Sequence, residues 1–142
     1  MDQEISSFKV EGKLACWKFI ENSKNYPGWN FCVDDLGRAS LVALIEKMLA
    51  SKWPSKKEVQ TFEPLELNQR WILETGTYSS VKSIVLESKK EPTHFWKLNA
   101  EKGILTISVG SDNLVKLKDA LVNEIFDDGL QGDFEGEGLW FW

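Results

Sequence analysis

Large apolar residues fall on alternate positions through two short runs near the start of the chain. Trp17 and Phe19 flank Lys18, and Trp29, Phe31 and Val33 alternate with Asn30 and Cys32. Period-two alternation is the signature of a half-buried strand. The pattern therefore predicts a hairpin, Leu14 to Ile20 and Trp29 to Asp34, turning at Asn25-Tyr26-Pro27-Gly28. A register that sets Trp17 against Phe31 and Phe19 against Trp29 gathers the aromatic rings on one face. The same register puts Cys16 directly opposite Cys32.

The period then changes. Leu41, Leu44, Ile45, Met48 and Leu49 recur at the three- and four-residue spacing of one helical stripe. This predicts a helix from Ser40 to Ser51, closed by Trp53-Pro54 because the residue before proline is pushed out of helical geometry. Extended segments are expected at Val59 to Phe62, Arg70 to Glu74 and Val81 to Glu87. A second hairpin, Phe95 to Leu98 and Ile104 to Val109, is expected to turn at Ala100-Glu101-Lys102-Gly103. A second helix is expected from Asp112 to Phe126, with Ser111 as N-cap and Gly129 as terminator. Leu114, Leu117, Leu121 and Ile125 form its apolar line, widened by Val115, Val122 and Phe126. Strands joined by hairpins, with two amphipathic helices, predict a single α+β domain over residues 1–142. Its sheet is mainly antiparallel, with both helices on one face.

The sequence closes on Leu139-Trp140-Phe141-Trp142, behind an acidic, glycine-rich run from Asp127 to Gly138. Burying one large ring is worth about 1.5–3 kcal/mol, so the aromatic segment is expected to dock as a strand. The run before it, 127–138, reads as a solvated connector. Of the 22 acids in the chain, Asp127, Asp128, Asp133, Glu135 and Glu137 lie in that run, and the rest balance the 17 lysines and arginines. The acidic run thus carries the whole net charge of −5. No basic stripe offers phosphate neutralisation, so nucleic acid is not the expected partner. No apolar run approaches the roughly 18 residues of a membrane span, and Met1-Asp2-Gln3-Glu4 is acidic where a signal peptide is basic. A cytoplasmic location is expected, with Cys16 and Cys32 as free thiols.

Candidate chemistry is sparse. His94 is the lone histidine, beside Phe95 and Trp96 at the opening of a strand, and a general base needs an orienting partner that sequence alone does not supply. One histidine and two cysteines sixteen residues apart make no zinc set. Carboxylate pairs carry no specificity among so many acids, and no glycine-rich phosphate loop is present. No catalytic residue, metal or cofactor is assigned. Seven tryptophans point instead to core anchors, with one or two at a recognition surface. Tyr26 and Trp29 on their turn, together with Trp53, are the candidate aromatic contacts. The five acids of the run are the candidate charged ones.

The segments Tyr26-Pro27-Gly28-Trp29 and Ser51-Lys52-Trp53-Pro54-Ser55, with the terminal Leu139-Trp140-Phe141-Trp142, resemble small bacterial proteins of similar size and unassigned activity. In size, acidity and lack of a catalytic set the chain also resembles the immunity proteins that neutralise bacterial toxins. That likeness implies a non-enzymatic inhibitor and transfers no functional residue. The leading expectation is a cytoplasmic protein-binding domain, monomeric or homodimeric, of the immunity type and directed at a basic protein partner. The alternatives are a small-molecule binder or enzyme with an aromatic cleft near His94, and a structural subunit whose terminal aromatics complete a homodimer.

Overall fold

The computed structural model describes residues 3–19, 28–67, 78–123, 129–130 and 139–141. Among these, three helices and nine strands follow in the order α1 (Gln3–Ser7), β1 (Leu14–Phe19), β2 (Trp29–Val33), α2 (Asp35–Ala50), β3 (Ser55–Gln60), β4 (Tyr78–Ser80), β5 (Ser83–Lys90), β6 (Trp96–Glu101), β7 (Ile104–Gly110), α3 (Ser111–Asn123), β8 (Gly129–Leu130) and β9 (Leu139–Phe141). A 3-10 turn, Pro64–Leu67, follows β3. The fold is α+β. Its strands form two sheets, β4-β1-β2-β9-β8 and β3-β5-β7-β6. Pairing is antiparallel except between β2 and β9 and between β5 and β7.

The first hairpin forms one residue out of the expected register. Cys16 stands opposite Phe31, Trp17 opposite Asn30, and Ala15 opposite Cys32. A one-residue slip turns every side chain of a strand to the other face. Alternation alone could not choose, because both faces of β1 are apolar. Leu14, Cys16, Trp29 and Phe31 join the main core, while Ala15, Trp17, Phe19 and Cys32 form a second cluster with Leu67 and Tyr78. Cys16 and Cys32 therefore lie on opposite faces of the sheet, which corrects the expectation that they face each other. Both are buried, free thiols.

The main core is shared by both sheets and two helices. Leu41, Leu44, Ile45 and Met48 of α2 meet Phe31 and Leu139 from one sheet and Ile84, Leu86 and Ile107 from the other. Leu114, Leu117 and Leu121 of α3 close it, with Val115 and Val122 turned outward rather than widening the stripe. Helix α2 begins five residues earlier than its periodicity suggests. The Asp34 carboxylate caps it, accepting from the Gly37 amide at 2.7 Å and from the Lys13 amide at 2.9 Å. One carboxylate oxygen thereby ties the entrance of β1 to the first turn of α2.

At the far end of the second sheet, β6 lies beyond β7, so the β5–β6 connection must cross the β7–α3 junction. Gly110 gives it room: a Cβ there would lie 2.1 Å from the Pro92 carbonyl oxygen. Asn113 fixes the crossing segment, its amide donating to the carbonyls of His94 at 2.8 Å and Phe95 at 3.0 Å. Ser111 is the first residue of α3 rather than its cap, and its hydroxyl donates to the Lys90 carbonyl at 3.4 Å. The β6–β7 hairpin turns on Lys102 and Gly103 alone, both at positive φ, so its strands run further than the four-residue turn expected.

Within the closing segment, Leu139–Phe141 forms β9. Strand β9 pairs with β2 in parallel, Trp29 beside Leu139, and Leu139 is fully buried. Gly129 and Leu130, read above as part of a connector, instead form β8 on the outer side of β9. The expected strand 70–74, the helix end 124–126 and Trp142 lie outside the described residues.

Candidate partner-binding surface

Trp53 sits on the four-residue connection between α2 and β3. The chain must stop being helical there: Ser51 adopts extended geometry while its amide still donates to the Lys47 carbonyl, and Pro54 cannot rejoin a helix. The Ser51 hydroxyl accepts from the Trp53 amide at 3.3 Å, holding the corner. The indole is left 63% exposed, more than any other large apolar side chain among the described residues.

Lysines flank it in sequence, and the ladder sets one of them, Lys56, opposite Glu87. Lys52 and Lys56 are both exposed. The ladder that pairs Ser55 with Ser88 places Lys89 across from Pro54, and the Lys89 amine lies 5.5 Å above the Phe95 ring. Next to it, the Lys90 amine donates to the last carbonyls of α2, at Met48 and Leu49. A cation at a helix C-terminus answers the negative end of its dipole. Burial lowers the Lys90 pKa from its ordinary value.

Of the other expected contacts, Trp29 belongs to the core. It is 7% exposed at the start of β2, with the Lys18 amine 5.6 Å above its ring, so it is not a surface contact. Tyr26, Asp127, Asp128, Asp133, Glu135 and Glu137 lie outside the described residues. The lysines near Trp53 were not singled out from sequence. Lys52 and Lys56 were visible beside it, but Lys89 and Lys90 join them only through the β3–β5 register.

Other concavities lie elsewhere on the described residues. A small void inside the core, about 20 Å³, is walled by apolar side chains including Phe31, Leu41, Ile45 and Leu139. A groove of about 340 Å³ runs between residues 8–12 and β3, with Phe8, Val10 and Phe62 interleaved with Lys9, Lys57 and Glu58. A shallower groove of about 900 Å³ follows the outer face of α2. His94 lines none of these three; it is exposed, and its backbone carbonyl serves Asn113. Among the described residues, no three His, Cys, Asp or Glu side chains are placed to hold a metal ion, and no helix is long and apolar enough to cross a membrane.

No protein-family model, no curated protein and no solved structure matches this chain. The geometry of its own residues is therefore the ground for any functional reading.

Proposed function

We propose that this chain is a non-enzymatic protein-binding domain that docks through Trp53. The observation that carries the reading is the 63% exposure of that indole on a short, hydrogen-bonded corner between a helix and a strand. A rigidly presented tryptophan loses little conformational freedom on docking and buries a large area, which is why such residues dominate binding hot spots. The exposed lysines that flank it in sequence, Lys52 and Lys56, suit a partner surface that is acidic at the contact.

An immunity-type inhibitor of a basic partner is a second form of the protein-binding reading, with a different contact. Its charge comes from Asp127, Asp128, Asp133, Glu135 and Glu137, a different part of the sequence from the Trp53 corner. Photo-crosslinking in the producing cells tests both. A photoreactive phenylalanine at position 53 is expected to capture one acidic protein in near-stoichiometric yield. Capture of a basic protein from position 133, and none from 53, moves the site to the acidic run and favours the immunity reading. Failure at both positions removes the protein-binding reading.

A further inference from the structure

The second sheet ends at β6, and among the described residues no strand pairs with its outer edge. Strand β6 carries one charge of each sign, Lys97 and Glu101. Trp96 and Leu98 pack toward the core, so Lys97, Asn99 and Glu101 share the other face, and all three are exposed. Lys97 stands opposite Ser108 and Glu101 opposite Ile104 on β7, so the ladder gives neither a charged partner. Four residues apart on one strand, they lie about 13 Å from each other, too far to pair. Among the described residues neither side chain joins an ion pair.

The ladder also fixes which backbone groups face outward. The Gly110 amide donates to the Phe95 carbonyl at 2.9 Å. Bonded pairs alternate along an antiparallel ladder, so Lys97, Asn99 and Glu101 direct their N–H and C=O groups to β7. Leu98 and Ala100 turn theirs outward. The turn at Lys102 and Gly103, both at positive φ, agrees, because it closes on Glu101 and Ile104 as a bonded pair. An added antiparallel strand must therefore bond to Leu98 and Ala100. Two copies of β6 do so when a two-fold axis passes through Asn99. Leu98 of each copy then exchanges both backbone bonds with Ala100 of the other. Lys97 of each faces Glu101 of the other at a non-hydrogen-bonded position, where side chains approach most closely. Both charges of the strand thus find an opposite counterpart, and each contact occurs twice. Moving the axis to Leu98 sets Lys97 against Asn99, and moving it to Ala100 sets Glu101 against Asn99, so the neighbouring registers lose the match.

We propose that the outer edge of β6 is a self-pairing surface, on which a second copy of this chain adds its own β6 antiparallel about Asn99. The backbone bonds supply affinity, and the Lys97–Glu101 contacts fix the register. This edge lies across the sheet from β3, which follows the Trp53 corner, and the proposal stands independently of the protein-binding reading. A strand of six residues makes a small contact, so the dimer is reversible.

Sedimentation equilibrium of the full chain from about 1 to 500 µM, a range that brackets micromolar dissociation constants, tests this. The wild type is expected to pass from monomer to dimer across it. Lys97→Glu and Glu101→Lys should each raise the dissociation constant at least about fivefold, and the double variant K97E/E101K should return it to near the wild-type value. Ala100→Pro removes an outward N–H that β7 does not use. It should abolish the dimer while the melting temperature of the dilute protein holds. Asn99→Cys places two thiols at the axis, where Cα atoms about 4.5 Å apart suit a disulfide, so mild oxidation should link the copies. Lys97→Cys, which faces Glu101, should not link. A wild type that stays monomeric throughout overturns the proposal and leaves the edge to an extended segment of another protein. A dimer indifferent to Ala100→Pro, a double variant no better than its parents, or equal crosslinking at positions 97 and 99 overturns it equally.

Discussion

Gly12 and Gly37 meet backbone to backbone, so closely that a Cβ on Gly12 would lie 2.1 Å from the Gly37 nitrogen. Gly12 also has φ of +83°, a region that disfavours any side chain. Steric overlap and strain act together here, and Gly12→Ala should cost about 2–4 kcal/mol. Gly103 separates the two effects. Its φ is +80°, but its nearest neighbour is the Lys82 side chain at 3.5 Å, so Gly103→Ala should cost only about 1 kcal/mol. Urea denaturation of the two variants measures the difference.

Cys16 supplies a pH-dependent contribution to stability. Complete burial pushes its thiol pKa well above the ordinary value. The unfolded chain then loses this proton at a lower pH than the folded one, so the contribution is full below the ordinary thiol value and is lost as pH rises beyond it. In Cys16→Ala that loss is absent. The stability difference between wild type and Cys16→Ala should shift against the wild type by about 1.4 kcal/mol per pH unit above the ordinary thiol pKa. A pH-independent difference would show that the thiol is accessible to water. Because Cys16 and Cys32 face away from each other, thiol titration in denaturant should find two free sulfhydryls even after mild oxidation.

Asn113 is 2% exposed and ties the crossing segment 91–95 to α3 through two carbonyls. Asn113→Ala should cost about 1–3 kcal/mol by stranding those acceptors. Asn113→Asp should cost more at neutral pH, since it turns the donor into a charged acceptor facing two carbonyls. Equal losses in the two variants would mean that volume rather than hydrogen bonding matters at this position.

Leu44 and Leu139 both belong to the shared core and are fully buried. Each truncation to alanine should cost about 2–5 kcal/mol. Val122, 52% exposed on α3, should lose less than about 0.5 kcal/mol on the same change. Chemical denaturation of the three variants checks the ranking, and a large loss at Val122 would place that side of α3 against another surface.

Much of this fold is legible in the sequence where one periodicity has no competitor. The buried stripes of α2 and α3 and the β6–β7 hairpin are of this kind. The first hairpin failed in register because Trp17 and Cys16 both suit burial, and β1 has a core on each side. Strand β3 was recognised only at its end. Of Ser55-Lys56-Lys57-Glu58-Val59-Gln60 just Val59 is buried, as suits an edge strand whose lysines discourage further pairing. Trp53 was visible as a candidate, but the approach of Lys89 was not, because Lys89 arrives through pairing with a strand some thirty residues away. The start of α2 was hidden by Gly37, which weakens a helix by propensity yet is required there by contact with the Lys13 carbonyl.

The position of β9 in its sheet has a consequence for the order in which the protein can be made. Strand β9 lies between β2 and β8, and its Leu139 pairs with Trp29, 110 residues earlier. At the usual pace of translation, a gap of that length keeps the β2 edge open for about 5–20 s. During that interval β2 presents unpaired amides beside Trp29 and Phe31, a template for any extended chain nearby. The second sheet, by contrast, joins strands close in sequence and can assemble as it emerges from the ribosome. Every strand of the second sheet is thus made before β9, whereas the first sheet lacks a middle strand until the last residues are added.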